Sequence, residues 1–165
     1  MELPKRKAAR LKNYDYSSPG AYFITICTHE KAPILSRILP GNGIEPPESI
    51  LTECGAIVQE QIISLASRYT NIHLDKYVIM PNHIHILFSV APANQGDYSA
   101  SSVTDAACAL KSLCAIECKK RYHLETLWQR SFHDHVIRDK ADYLRIWQYI
   151  DGNPAKWTED CFYIS

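Results

Sequence analysis

With 165 residues, 46% of them hydrophobic and 22% charged, the chain is long enough to bury a core, short enough for one domain, and too apolar for intrinsic disorder. Its 18 basic and 18 acidic side chains cancel, which excludes a protein that holds an acidic partner by overall charge and leaves any such role to local clusters. No apolar run reaches bilayer-spanning length, and Met1 to Lys12 lacks the apolar centre of a signal peptide, so the expectation is a cytoplasmic protein without membrane contact.

Lys5, Arg6, Lys7, Arg10 and Lys12 make residues 1–20 a basic N-terminal arm, closed by the turn-rich NYDYSSPG. The β-branched and aromatic AYFITICT, Ala21 to Thr28, is a first strand. A shorter strand over Ile34 to Ile38 returns as a hairpin, and Pro40 to Ser49 reads as a surface loop. Thr52 caps a helix whose apolar positions Ile57, Val58, Ile62, Leu65, Ala66 and Tyr69 recur at helical spacing. HLDKYVIM, His73 to Met80, alternates as a strand, and Pro81-Asn82 turns it into the antiparallel strand of MPNHIHILFSV. Ala91 to Thr104 is a small, polar connection. A second long helix runs from about Asp105 to Tyr122 with Ala106, Ala109, Leu110, Leu113, Cys114 and Ile116 as its apolar stripe, and Lys111, Lys119, Lys120 and Arg121 form a second basic cluster along it. Leu127 to Arg138 makes a last strand, and Lys140 to Asp151 a third helix closed by Gly152, Asn153 and Pro154. Apart from the short extra strand and the last helix, the order is β-α-β-β-α-β. This is an α+β, ferredoxin-like antiparallel sheet with helices on one face, plus an extra C-terminal helix.

The residues that can carry chemistry are few. His83 and His85 are two apart on a strand, so both imidazoles project from one face and can form half of a metal site. His133 and His135 repeat the pattern, so the spacing alone does not single out a site. Tyr143 and Tyr149 lie on the last helix, where a phenol can act as a nucleophile if a metal or base lowers its ordinary pKa of about 10. Asn153 is one turn beyond Tyr149 and is either a partner on the same face or a helix cap before Pro154. Trp128, Phe132 and Tyr22 are either stacking platforms for unpaired bases or core. The six cysteines form no CxxC pair and read as reduced thiols, with Cys114 and Cys118 as small buried hydrophobes.

The segments RLKNYDYSSPGAYFITICT, MPNHIHIL, WQRSFHDHVIR and YIDGNPAKW, in this order, resemble the REP-associated tyrosine transposases, within the wider HUH single-strand nucleases. The resemblance covers about Arg10 to Trp157 and implies a single HUH transposase-like domain over residues 1–165. It implies that His83 and His85 bind a metal, Mg²⁺ or Mn²⁺, that Asn153 is a third polar ligand, and that Tyr149 is the catalytic nucleophile. The implied function is a metal-dependent single-stranded DNA endonuclease and strand transferase acting at hairpins or palindromic repeats through a 5′-phosphotyrosine. A hairpin-binding protein of the same fold without efficient cleavage is the alternative. His135 either orients a ligand or touches DNA near the site, or is a surface residue. Both monomers and homodimers occur among such proteins.

Overall fold

The β-branched run after Gly20 is paired on both sides, and the rest of the sheet is built outward from it. The structure, a computed structural model, describes residues 10–92 and 100–164. Strand β1 (Gly20–Cys27) is followed by a short ribbon of β2 (Ser36–Leu39) and β3 (Glu48–Leu51), then α1 (Glu53–Arg68). Next come β4 (Ile72–Ile79), β5 (His83–Val90), α2 (Val103–Tyr122), β6 (His133–Val136) and α3 (Lys140–Gly152). The main sheet has the order β4-β5-β1-β6 with every pairing antiparallel. That is the ferredoxin-like arrangement expected from the element order.

Local chemistry sets the helix boundaries. The Thr52 hydroxyl accepts from Gly55 N, and Ser102 and Asp105 form a reciprocal capping box at the start of α2. Gly55 is required by packing, because a Cβ there would lie 1.9 Å from the Leu35 carbonyl oxygen. Helices α1 and α2 cover one face of the sheet, where Ile24, Ile26, Ile84, Ile86 and Phe88 meet Ile57, Ile62, Leu65 and Leu110. The α2 stripe is rotated from the expectation. Val103, Ala107 and Cys118 join Ala106, Leu110 and Cys114 inside, while Ile116 is 60% exposed.

Three further expectations are corrected. Pro40 to Ser49 is not all loop, since its end enters β3, which pairs with β2 in a separate ribbon. The last strand is only His133–Val136. Before it, the Lys111 ammonium donates to the carbonyls of Gln129, Arg130 and Ser131, Gln129 N donates to the Cys27 carbonyl, and Trp128 keeps an isolated bridge to Thr28. Helices on one face would leave the other available for partners, but that second face is covered. Helix α3 lies against it through Ile146 and Ile150, which pack on Leu87 with Phe23 and Val78. Of the basic arm, residues 1–9 lie outside the described residues, as do residues 93–99 of the connection to α2.

Candidate active site

His83 and His85 stand opposite Cys27 and Thr25 of β1 and point to the face that α3 covers. Their rings are 4.5 Å apart and fully buried. Asn82 Nδ2 donates to the Phe162 carbonyl at 2.7 Å, which turns its Oδ1 toward His83 Nδ1 at 2.9 Å. An amide oxygen only accepts, so the His83 proton sits on Nδ1 and Nε2 carries a lone pair. Among the described residues that Nε2, buried as it is, has no hydrogen-bond partner. His85 Nδ1 lies 2.8 Å from the Thr25 hydroxyl, and its Nε2 lies 3.3 Å from the Tyr149 hydroxyl. Burial pushes the His83 imidazole down to about 4, partly offset by the Asp160 charge, and holds His85 well below the usual histidine value, with His83 adding to the effect. Both rings are therefore neutral at neutral pH, the form that ligates metals.

Helix α3 brings the other groups. Asp139 caps its first turn by accepting from Asp142 N. The stripe of Ile146 and Ile150 seats it on the sheet, which aims Tyr149 at His85 with ring centroids 5.2 Å apart. Tyr149 stays 39% exposed, so its hydroxyl adjoins both the buried imidazoles and solvent. Its phenol is pushed up to about 12, first by desolvation and then by the Asp160 carboxylate. One turn later Asn153 is 2% exposed and keeps right-handed helical backbone angles. Its side chain caps no helix carbonyl. Nδ2 donates to Asp160 Oδ2 at 3.0 Å, and Oδ1 is buried without a partner among the described residues.

Tyr149, His83, His85 and Asn153 thus come together from β5 and α3. Tyr143 does not join them, because its hydroxyl donates to Asp75 of β4 at 2.9 Å. His135 hydrogen-bonds Asp142 at 2.7 Å, and His133 is exposed. Tyr22, Trp128 and Phe132 are buried in the core and are not stacking platforms. Asp160, which the motifs did not indicate, has its Oδ2 4.0 Å from His83 Nε2. It follows the short 3₁₀ turn Pro154–Glu159 and carries no periodic signal in the sequence. The ligand atoms of His83, His85 and Asp160 all lie within 4.8 Å of one another. Two of the buried atoms here, His83 Nε2 and Asn153 Oδ1, are unpartnered acceptors, and a cation satisfies both. The residues therefore fit a metal.

Fold and site together define an α+β ferredoxin-like protein with a histidine–tyrosine centre between its sheet and its last helix. Residues 48–153 match the IS200-like transposases, and the chain belongs to that family. An uncharacterised protein of Haemophilus influenzae is 28% identical over 174 residues, covering 96% of this chain and 93% of its own length. A second H. influenzae protein, described as a REP-associated tyrosine transposase, is 36% identical over 83 residues, 47% of each chain. Among solved structures, a REP-associated tyrosine transposase bound to a REP hairpin superimposes with a TM-score of 0.61 at 21% identity, covering 90% of this chain and 74% of that one. A protein from Deinococcus radiodurans described as a transposase gives 0.52 at 17% identity, with 87% and 95% covered. These two likenesses are of fold. The resemblance drawn from the four sequence segments agrees with the family match. Among the described residues no helix is long and apolar enough to cross a membrane.

Proposed function

We propose that the chain, acting as one domain over residues 1–165, cuts and rejoins single-stranded DNA beside a hairpin through a covalent bond to Tyr149. The observation that carries the proposal is the meeting of the Tyr149 hydroxyl with His85 Nε2 at 3.3 Å, beside the unpartnered His83 Nε2 and Asn153 Oδ1. Hairpin DNA as partner is supported by the REP hairpin bound to the structurally similar transposase.

In this reading His83, His85 and Asn153 hold a Mg²⁺ or Mn²⁺ ion. Bound there, the ion supplies Lewis acidity to an oxygen of the scissile phosphate. The chain's own part is positional. Asn82 and Thr25 orient the two imidazoles, and α3 presents the phenol. A lone pair on His85 Nε2 serves either the Tyr149 hydroxyl or the ion, not both at once. Tyr149 Oη attacks phosphorus, the bond from phosphorus to the 3′ oxygen breaks, and the phenolic proton is balanced by protonation of the leaving 3′ oxygen. The products are a 5′-phosphotyrosine and a free 3′ hydroxyl. Attack by another strand's 3′ hydroxyl reverses the step and rejoins DNA, so no nucleotide triphosphate is consumed.

The test is incubation of labelled single-stranded hairpin oligonucleotides with Mn²⁺, followed by denaturing electrophoresis. A protein–DNA adduct is expected, lost in Tyr149→Phe and retained in Tyr143→Phe. Hairpin binding with no adduct from the unmodified protein would overturn cleavage and leave a binding protein. An adduct that survives Tyr149→Phe but not Tyr143→Phe would move the nucleophile.

A further inference from the structure

Asp160 is buried as a side chain, at 3% exposure, yet among the described residues pairs with no lysine or arginine. Its Oδ1 accepts from Phe162 N at 2.8 Å, and its Oδ2 accepts from Asn153 Nδ2 at 3.0 Å. A carboxylate oxygen has a second lone pair, so Oδ2 retains capacity on the side of His83. Two ligands of one Mg²⁺-type ion, each bonded at about 2.1 Å, can be at most about 4.2 Å apart. The 4.0 Å between Oδ2 and His83 Nε2 is within that span. The groups already assigned to the site, two imidazoles and an amide, are all neutral and mostly nitrogen donors. Asp160 is the one carboxylate in this cluster among the described residues.

We infer that Asp160 is the anionic ligand of the site, binding the cation through Oδ2 while Asn153 Nδ2 and Phe162 N hold its orientation. The inference rests on the metal-site reading above and adds a group from outside the tyrosine helix. Two consequences follow from the chemistry. A hard anionic oxygen shifts a histidine-rich site toward oxygen-preferring ions such as Mg²⁺ and Mn²⁺. Cation binding also fastens the segment after α3 onto β5, because the Phe162 ring packs at a tilt against His83, centroids 4.5 Å apart, and its carbonyl accepts from Asn82.

Metal-stripped full-length protein is titrated with Mn²⁺ alone, without DNA, and the free ion is followed by its paramagnetic resonance signal. Asp160→Asn preserves size but removes the charge, and its single oxygen can accept from Asn153 or from Phe162 N, not from both. Its Mn²⁺ affinity is expected to fall by about tenfold or more, and because one buried hydrogen bond is lost the metal-free melting temperature falls too, so affinity is titrated where both proteins are folded. Unchanged affinity overturns the inference. Affinity lost in Asp160→Ala but kept in Asp160→Asn also overturns it, reducing Asp160 to a hydrogen-bond clamp on Asn153. A second measurement needs no variant: Mg²⁺ is expected to slow amide hydrogen exchange over residues 154–162 of the unmodified protein, and no slowing counts against the inference. Unmodified protein that binds Mn²⁺ with no response to Asp160→Asn leaves the His83, His85 and Asn153 site standing. Unmodified protein that binds no Mn²⁺ removes both.

Discussion

His83 can offer a lone pair to a metal only if its proton is on the other nitrogen, and Asn82 decides this. With Nδ2 committed to the Phe162 carbonyl, Asn82 has only an acceptor left to face the ring. Asn82→Ala removes that constraint and leaves a buried ring nitrogen unpaired. Mn²⁺ affinity is expected to fall about 10–100-fold, as for other outer-shell partners of metal histidines, and stability to fall by about 1–3 kcal/mol. Titration with Mn²⁺ and thermal unfolding of the metal-free protein measure the two effects separately. Loss of stability with unchanged affinity would show that Asn82 serves the fold alone. Tyr149 presents the opposite situation, since its surroundings raise its pKa to about 12 and do not by themselves prepare a nucleophile. Activation has to come with the substrate or the cation.

At the scale of elements, the position of α3 is set by two kinds of contact of unequal strength. Burial of Ile146 and Ile150 contributes about 1.5–3 kcal/mol each. The polar contacts are weaker but directional. A bulge in β4 between Leu74 and Lys76 lets the consecutive residues Asp75 and Lys76 both face α3. Asp75 accepts from Ser89 and Tyr143, while Lys76 pairs with Asp151 and lies 4.3 Å over the Trp147 ring. Tyr143, Trp147 and Asp151 are successive turns of one helix stripe, so the bulge grips the helix along its length. Asp151 is 61% exposed, and Lys76→Met should therefore change stability by no more than about 1 kcal/mol. The single-turnover rate of adduct formation should fall by more than that, because small misplacement of a reacting group can cost up to about 10²-fold. Mn²⁺ affinity should not change, and the charge-reversed pair Lys76→Asp with Asp151→Lys should restore part of the rate. A rate unaffected by Lys76→Met would mean that the apolar stripe alone sets the register.

For the whole molecule, one sheet is buried on both sides, by α1 and α2 on one face and α3 on the other. The edge strand β6 is tied to α3 by Asp142, which bonds His135, the Arg138 amide and Arg145. The His135 hydrogen bond first, and Arg145 next, hold the Asp142 carboxyl down at about 2, below its ordinary 3.8. The folded state thus releases this proton more readily than the unfolded chain. The stabilisation is present above about pH 3.8 and is lost as pH falls through about 2. The unmodified protein should melt above Asp142→Asn at neutral pH, and the gap should close across that acid window in thermal scans. A gap that persists to pH 2 would assign the effect to packing and not to charge.

The sequence by itself determined what depends on near neighbours. Strand alternation, the α1 stripe of Ile57, Val58, Ile62 and Leu65, the Thr52 cap and the one-face placement of His83 and His85 are all set within a few residues, as are Tyr149 and Asn153 one turn apart. The tight Pro81-Asn82 turn likewise made the β4–β5 pairing readable. Only the tertiary structure decided which sheet face α3 occupies, that the Lys111 ammonium gathers the carbonyls before β6, that a bulge doubles the grip of β4, and that Asp160 enters the site. Each of these is a contact between groups far apart in the chain, where no periodic pattern marks the partner. His83 and Asp160 meet because two apolar faces close on each other and carry their polar residues into the same desolvated space.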